Sequence, residues 1–225
     1  MPYCTRCGIK LPDDKEARFC PNCGAPILET QGFIKVKKEG RRPLYAVSRK
    51  TRLTSVLAAF LLCVLVTSAG ALSRVDGSKA QDMIEDFKEI ERVLQIAGVQ
   101  LIFGNNMMYC LSMFIPFIGP ISGSYVLYST GKLLAAMSYV LGADPLLLFL
   151  SLLIYPHAWL EYISYSLAIS ESIWLSFYLL KYRYKGLRAE MMNVAKYISV
   201  CAVLLLAGAF IEMALITSAS TLVPP

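Results

Sequence analysis

The sequence predicts an all-α polytopic membrane protein with about five transmembrane helices and a small metal-clamped knob at its N-terminus. Three observations predict it. Four cysteines stand as two close pairs, Cys4-x-x-Cys7 and Cys20-x-x-Cys23, within the first 24 residues. Long apolar runs fill most of residues 53–219, and basic residues crowd into 35–52 and 181–196. The chain of 225 residues is 56% hydrophobic and only 17% charged, too apolar for an ordinary soluble domain. Three parts follow: a metal-binding knob at 1–27, a basic cytoplasmic linker at 28–52 and a helical transmembrane domain at 53–219.

Five apolar runs make the crossings. Residues 53–72 and 99–118 carry no charge, and 121–143 carries only Lys132. Residues 145–180 hold Glu161 and Glu171, and 197–219 hold only Glu212. About 20 helical residues span the hydrocarbon, so each run is long enough. The first run lies behind 52 residues and reads as an uncleaved anchor rather than a signal peptide. Residues 145–180 are too long for one crossing, roughly 54 Å of helix at 1.5 Å per residue. Pro156 removes a backbone donor and predicts a break, giving a half-helix at 145–155 and a full crossing near 157–180.

Charge sets the orientation. Residues 35–52 hold eight basic side chains against Glu39, and 181–196 hold five against Glu190. Residues 74–92 hold six acids against four bases. Basic flanks stay cytoplasmic, so the N-terminus is expected inside and, after five crossings, the C-terminus outside. The basic stretch beside a membrane entry argues for topology and anionic-lipid contact, not for a specific nucleic acid. In the outer segment, Ser78 and Gln81 suggest a capping box. Met83, Phe87, Ile90 and Leu94 form a helical apolar stripe that packs on the bundle's outer end or the membrane surface. Residues 25–52 read as a linker with a short extended stretch at 32–36.

Each cysteine pair is followed by glycine, Gly8 and Gly24. A C-x-x-C turn puts two thiolates on one side of a tight loop. The following glycine is expected to let backbone donors approach the sulfurs. Two such knuckles complete a tetrahedral thiolate site suited to Zn2+, with Cys4, Cys7, Cys20 and Cys23 as ligands. The gap between them fits a hairpin carrying Leu11, Pro12 and Phe19. The pattern resembles the short zinc-ribbon family. Four thiolates leave no open position, so the role expected is structural or docking, not catalytic. Cys63, Cys110 and Cys201 lie in apolar runs and read as buried thiols.

Polar residues in the membrane need a partner or a wet cavity. The candidates are Asn105, Asn106, Lys132, His157, Glu161 and Glu171. They either hydrogen-bond across helices and hold the bundle together, or line a polar path. His157 and Glu161 share one helical face. His157 is the only histidine, so there is no H-E-x-x-H signature and no Ser/His/Asp set, and no enzymatic activity is expected. Gly119-Pro120 marks a tight inner turn, and Gly123, Gly131 and Ser138 allow close helix approach.

Phe103-Gly-Asn-Asn106, Pro116-Phe-Ile-Gly-Pro120, Gly131 and Pro156-His157-x-x-x-Glu161 together resemble the stage II sporulation protein M family over about residues 53–219. The resemblance carries Asn106, Gly119, Gly131, His157 and Glu161 onto this chain. Ala158 stands where that family commonly has glycine. It implies a multi-crossing, non-enzymatic membrane component that looks like a scaffold for partner proteins. The expected function is a scaffold or assembly subunit in the cell membrane, in contact with lipid, whose cytoplasmic ribbon docks a protein partner. The alternative is a permease subunit, self-associating or paired with an ATPase, that uses the polar path.

Overall fold

The computed structural model describes residues 3–4, 6–10, 19–25 and 47–222. The chain divides into two units, Met1–Ala46 and Val47–Pro225. The expected stretch at 32–36, the hairpin residues Leu11 and Pro12 and the basic residues of 35–42 lie outside the described residues.

In the first unit the two knuckles repeat one hydrogen-bond pattern. The Cys4 N–H donates to Ile9 O at 2.9 Å and the Gly8 N–H to Cys4 O at 2.8 Å. The Cys20 N–H donates to Ala25 O at 2.8 Å and the Gly24 N–H to Cys20 O at 2.9 Å. Tyr3 and Lys10 pair as an antiparallel bridge around the first knuckle. Gly8 has φ +73° and Gly24 φ +66°. A Cβ at either would meet nothing within 4 Å. These glycines therefore supply a left-handed turn that other residues adopt at a cost. The turn brings the N–H groups of Ile9 and Ala25 to the Cys7 and Cys23 sulfurs, so the glycines serve donor approach through backbone conformation rather than by leaving space.

The second unit is helical: α1 Arg49–Ala71, α2 Gly77–Met113, α3 Gly119–Leu141, α4 Pro145–Leu152 and α5 Pro156–Leu222. Ser48 starts α1 by accepting the Thr51 N–H at 3.1 Å, satisfying one orphan donor. Leu53, Leu57, Leu61 and Leu65 then recur every fourth residue, each more than half exposed. The opposite side buries Ala59, Cys63, Thr67 and Gly70. Polar groups are buried on α5 too: Ser164, Ser166, Ser170 and Ser172. This distribution, leucine outside and serine inside, is the reverse of a water-soluble bundle and suits a lipid surround.

Small residues bring the helices together. A Cβ on Gly131 would fall on the Thr67 carbonyl and the Ala71 nitrogen, and one on Gly70 would fall on the Tyr128 carbonyl. The backbones of α1 and α3 touch there. A Cβ on Gly119 would collide with Met113 O and the Ser172 side chain, and one on Gly123 with Ile169. Ser138 has a different use. Its hydroxyl donates to Ala143 O at 2.6 Å beside Gly142 in the left-handed region, which finishes α3.

Asp144 caps α4, accepting from Leu146 N–H at 2.7 Å, with Pro145 in the first turn. At 8 residues α4 is far too short to cross a bilayer. The break before Pro156 falls where the sequence predicts it. Pro156 opens α5, where its missing N–H costs nothing. The Trp159 indole N–H donates to Leu153 O at 2.7 Å, satisfying a carbonyl left over at the break.

α5 is two antiparallel arms. The helix is interrupted at Arg183, with φ +52° and ψ −145°. Cys201 Sγ of the second arm then reaches Ser164 O of the first at 3.4 Å. The expected basic loop at 181–196 is helical on both sides of this single residue. α2 is interrupted in the same way at Gly98. Its N-cap is Asp76, which makes no side-chain cap bond, so Ser78 sits inside the helix and the expected capping box does not form. Met83 and Phe87 are half-buried, Ile90 is 53% exposed, and the Leu94 side chain lies outside the described ones.

Among the described residues, three stretches are long and apolar enough to cross a membrane: Arg49–Ala71, Pro156–Arg183 and Glu190–Ser218. The sequence reading of five exceeds this by two. Beyond the Gly98 break only 99–113 of α2 remain helical, short of a full crossing. α3 is 23 residues long but carries Lys132 and several glycines and serines.

Candidate metal centre and intramembrane polar cavity

The two knuckles bring Cys4, Cys7, Cys20 and Cys23 together, their sulfurs all within 4.8 Å of one another. Cys4 Sγ lies 3.6 Å from Cys23 Sγ, and Cys7 Sγ 3.7 Å from Cys20 Sγ. A tetrahedron of sulfurs about 2.3 Å from a central ion has edges of about 3.8 Å, so the four ligands fit a metal of zinc's size. Backbone donors are aimed at the sulfurs. The Ile9 N–H brings the Cys7 thiol down to about 6. The Arg6 and Cys7 N–H groups lower Cys4. The Ala25 N–H acts likewise on Cys23, but burial and crowding by the other three thiols push it up to about 12. Four neutral thiols gain little from this arrangement, whereas four thiolates around a cation gain a great deal.

In the helical unit, Asn106 of α2 donates to Glu161 Oε1 of α5 at 2.7 Å. Both line a cavity of about 130 Å³ between α2, α3 and α5, with Asn105 beside them. Tyr109, Tyr162 and Tyr165 contribute to its wall. Ala158 lines it as well, so the methyl found there in place of glycine takes up part of this space.

The other polar candidates lie elsewhere. Lys132 lines a second pocket of about 250 Å³ with Asp76, Asp82 and Asp86 of the outer segment. His157 stacks on Tyr155, ring centroids 5.6 Å apart, and its buried Nδ1 has no hydrogen-bond partner among the described residues. It does not bond Glu161, whose partner is Asn106. Glu171 accepts from Arg52 Nη1 at 3.0 Å. Asn105, Asn106 and Glu161 thus share one cavity, while Lys132, His157 and Glu171 are placed outside its lining.

Residues 53–218 match the family model described as Stage II sporulation protein M, and residues 3–27 match the zinc-ribbon domain. The chain belongs to the stage II sporulation protein M family. No curated protein and no solved structure matches it. It is thus a stage II sporulation protein M family membrane protein with an N-terminal zinc-ribbon domain whose four close cysteines form a metal-binding arrangement.

In this family member the sequence did not reveal a buried charge cluster seen among the described residues. Arg52 of α1 bridges Glu171 and Glu190, one on each arm of α5. Glu190 also accepts from Asn193 at 2.9 Å. Ser55 bonds Ser170 at 2.8 Å and accepts the Trp174 indole N–H at 2.9 Å. Arg52 also sits 6.0 Å from the Trp174 ring centroid. Counted only as flanks, Arg52 and Glu190 looked like topology signals. The cluster places the start of α1 and the turn of α5 at one end of the bundle. The turn at 114–118 shares that end, since the Phe117 N–H donates to Ser176 Oγ at 2.7 Å.

Proposed function

We propose that this protein is a non-enzymatic membrane scaffold or assembly subunit whose ribbon holds one Zn2+ and docks a soluble protein partner in the cytoplasm. The observation that carries the reading is the ribbon itself. Its four cysteines close a metal shell with no position left for substrate, while Tyr3, Ile9 and Phe19 stay exposed on a unit this small. An apolar surface held rigid by a saturated metal is suited to binding, not to chemistry. The ribbon and the turn of α5 lie inside and the C-terminus outside, following the basic flanks at 35–52 and 181–196. The separation of Lys132 and Glu171 from the Asn106–Glu161 cavity favours this over the permease reading, which needs one connected path.

The test is recovery of a partner from native membranes. Wild type should bring down a defined soluble protein, and Cys4→Ser with Cys20→Ser should lose it while the membrane domain stays assembled. A partner retained without the metal, or vesicles of the purified chain alone that move a solute, would overturn the proposal.

A further inference from the structure

The cavity between α2, α3 and α5 has a chemical bias that the scaffold role does not explain. Its lining holds an acid and no base among the described residues. Glu161 lines it, and Glu212 on the second arm of α5 is near enough to act on Glu161 electrostatically. Among the described residues, no lysine or arginine lines it. Among the described residues, no ion pair reaches either glutamate, and the only donor to Glu161 is Asn106, which occupies Oε1. Its aromatic content is high. Three tyrosines, Tyr109, Tyr162 and Tyr165, share the wall, and a tyrosine ring presents a negative face to whatever fills the space.

An acid sharing a wall with three tyrosines is a chemistry that recognises alkylated ammonium ions, which pair their charge with the carboxylate and their methyl groups with the rings. Size agrees. A cavity of about 150 Å³ accepts a ligand of benzene's size. A space of about 130 Å³ accepts one ammonium head with its methyl groups. A bare metal ion would leave most of it unfilled, and an anion would meet the Glu161 carboxyl group with no base to pair with.

We infer that the Asn106–Glu161 cavity binds a small organic ammonium group, with Glu161 as counter-ion, Asn106 holding that carboxylate in place and Tyr109, Tyr162 and Tyr165 as the aromatic wall. The group arrives as a free ion or as the headgroup of a zwitterionic lipid. This goes beyond the scaffold reading and does not depend on it, because a cation can bind whether or not the ribbon docks a partner.

The test uses the full chain in nanodiscs of phosphatidylglycerol, which lack any ammonium headgroup. Tetramethylammonium is titrated calorimetrically, with sodium chloride at equal ionic strength as the control and 2,2-dimethylpropan-1-ol as a neutral ligand of similar shape. The expected result is saturable binding at least about tenfold tighter than the neutral compound. Glu161→Gln keeps an acceptor for Asn106 and should bind at least about tenfold more weakly. Phosphatidylcholine discs separate the sources: competition that weakens tetramethylammonium binding identifies the lipid headgroup, and unchanged affinity identifies the free ion. Wild type that binds tetramethylammonium no better than the neutral compound overturns the inference, even if Glu161→Gln does not fold. Undiminished binding by a folded Glu161→Gln overturns it too.

Discussion

Replacing Arg52 with methionine should unravel one end of the bundle. Among the described residues Arg52 is the only cation paired with Glu171 and Glu190, and the three side chains are 14%, 3% and 6% exposed. An exposed pair would contribute about 0–1 kcal/mol. Deleting one member of a buried network leaves the other charges uncompensated and costs about 3–5 kcal/mol. For a chain of this size roughly 2–4 °C is lost per kcal/mol, so Tm should fall by roughly 6–20 °C. The assay is thermal unfolding in detergent micelles, followed by circular dichroism. Adding Glu171→Gln and Glu190→Gln to Arg52→Met removes the stranded charges and should recover most of the loss, since replacing a whole buried network is often near neutral. A loss below about 1 kcal/mol for Arg52→Met, or no recovery in the triple variant, would refute the reasoning.

Other outcomes follow from the same structure. Gly131→Val puts a side chain onto the Thr67 carbonyl, and overpacking of this kind should cost at least about 1–3 kcal/mol in the same unfolding assay. Gly104→Ala, with nothing within 4 Å of the new methyl, should be neutral or stabilising. Arg183→Gly relieves a non-glycine residue at φ +52° and should raise stability by about 1–3 kcal/mol. Elemental analysis should find one zinc per chain, lost on combining Cys4→Ser with Cys23→Ser. Loading must ionise Cys23, whose thiol is pushed up to about 12, so it releases protons. Protons compete with the metal, and a chelator should therefore strip zinc more readily as pH falls.

The features legible in the sequence were those with one local cause. Paired cysteines, the break before Pro156 and long uncharged runs each announce themselves without reference to the rest of the chain. Gly119 and Gly131 were also legible, because glycine in an apolar run marks close approach. Features that depend on a distant partner were not. Arg52 lies 119 residues from Glu171 and 138 from Glu190, and nothing local separates a buried arginine from a topological one. A lone acid in a basic stretch, Glu190, was the available signal. Buried serines offered another, since Ser164, Ser166, Ser170 and Ser172 sit in an otherwise apolar run. Lys132 was grouped with Asn105 and Glu161 by depth alone, whereas its place on α3 puts it in a different pocket, shared with Asp82 and Asp86 of α2. The break at Arg183 had no residue signal, because arginine is not a turn former.

The most direct measurement is the side of the membrane on which the turn of α5 lies. Gly186→Cys and Val75→Cys, each made in a chain whose Cys4, Cys7, Cys20 and Cys23 are replaced by serine and whose Cys63, Cys110 and Cys201 are buried, are exposed to a membrane-impermeant thiol reagent in intact cells and again after permeabilisation. The account predicts that position 75 reacts in intact cells and position 186 only after permeabilisation. Reaction of position 186 from outside would place the basic turn, and the ribbon with it, on the wrong side for a cytoplasmic docking scaffold.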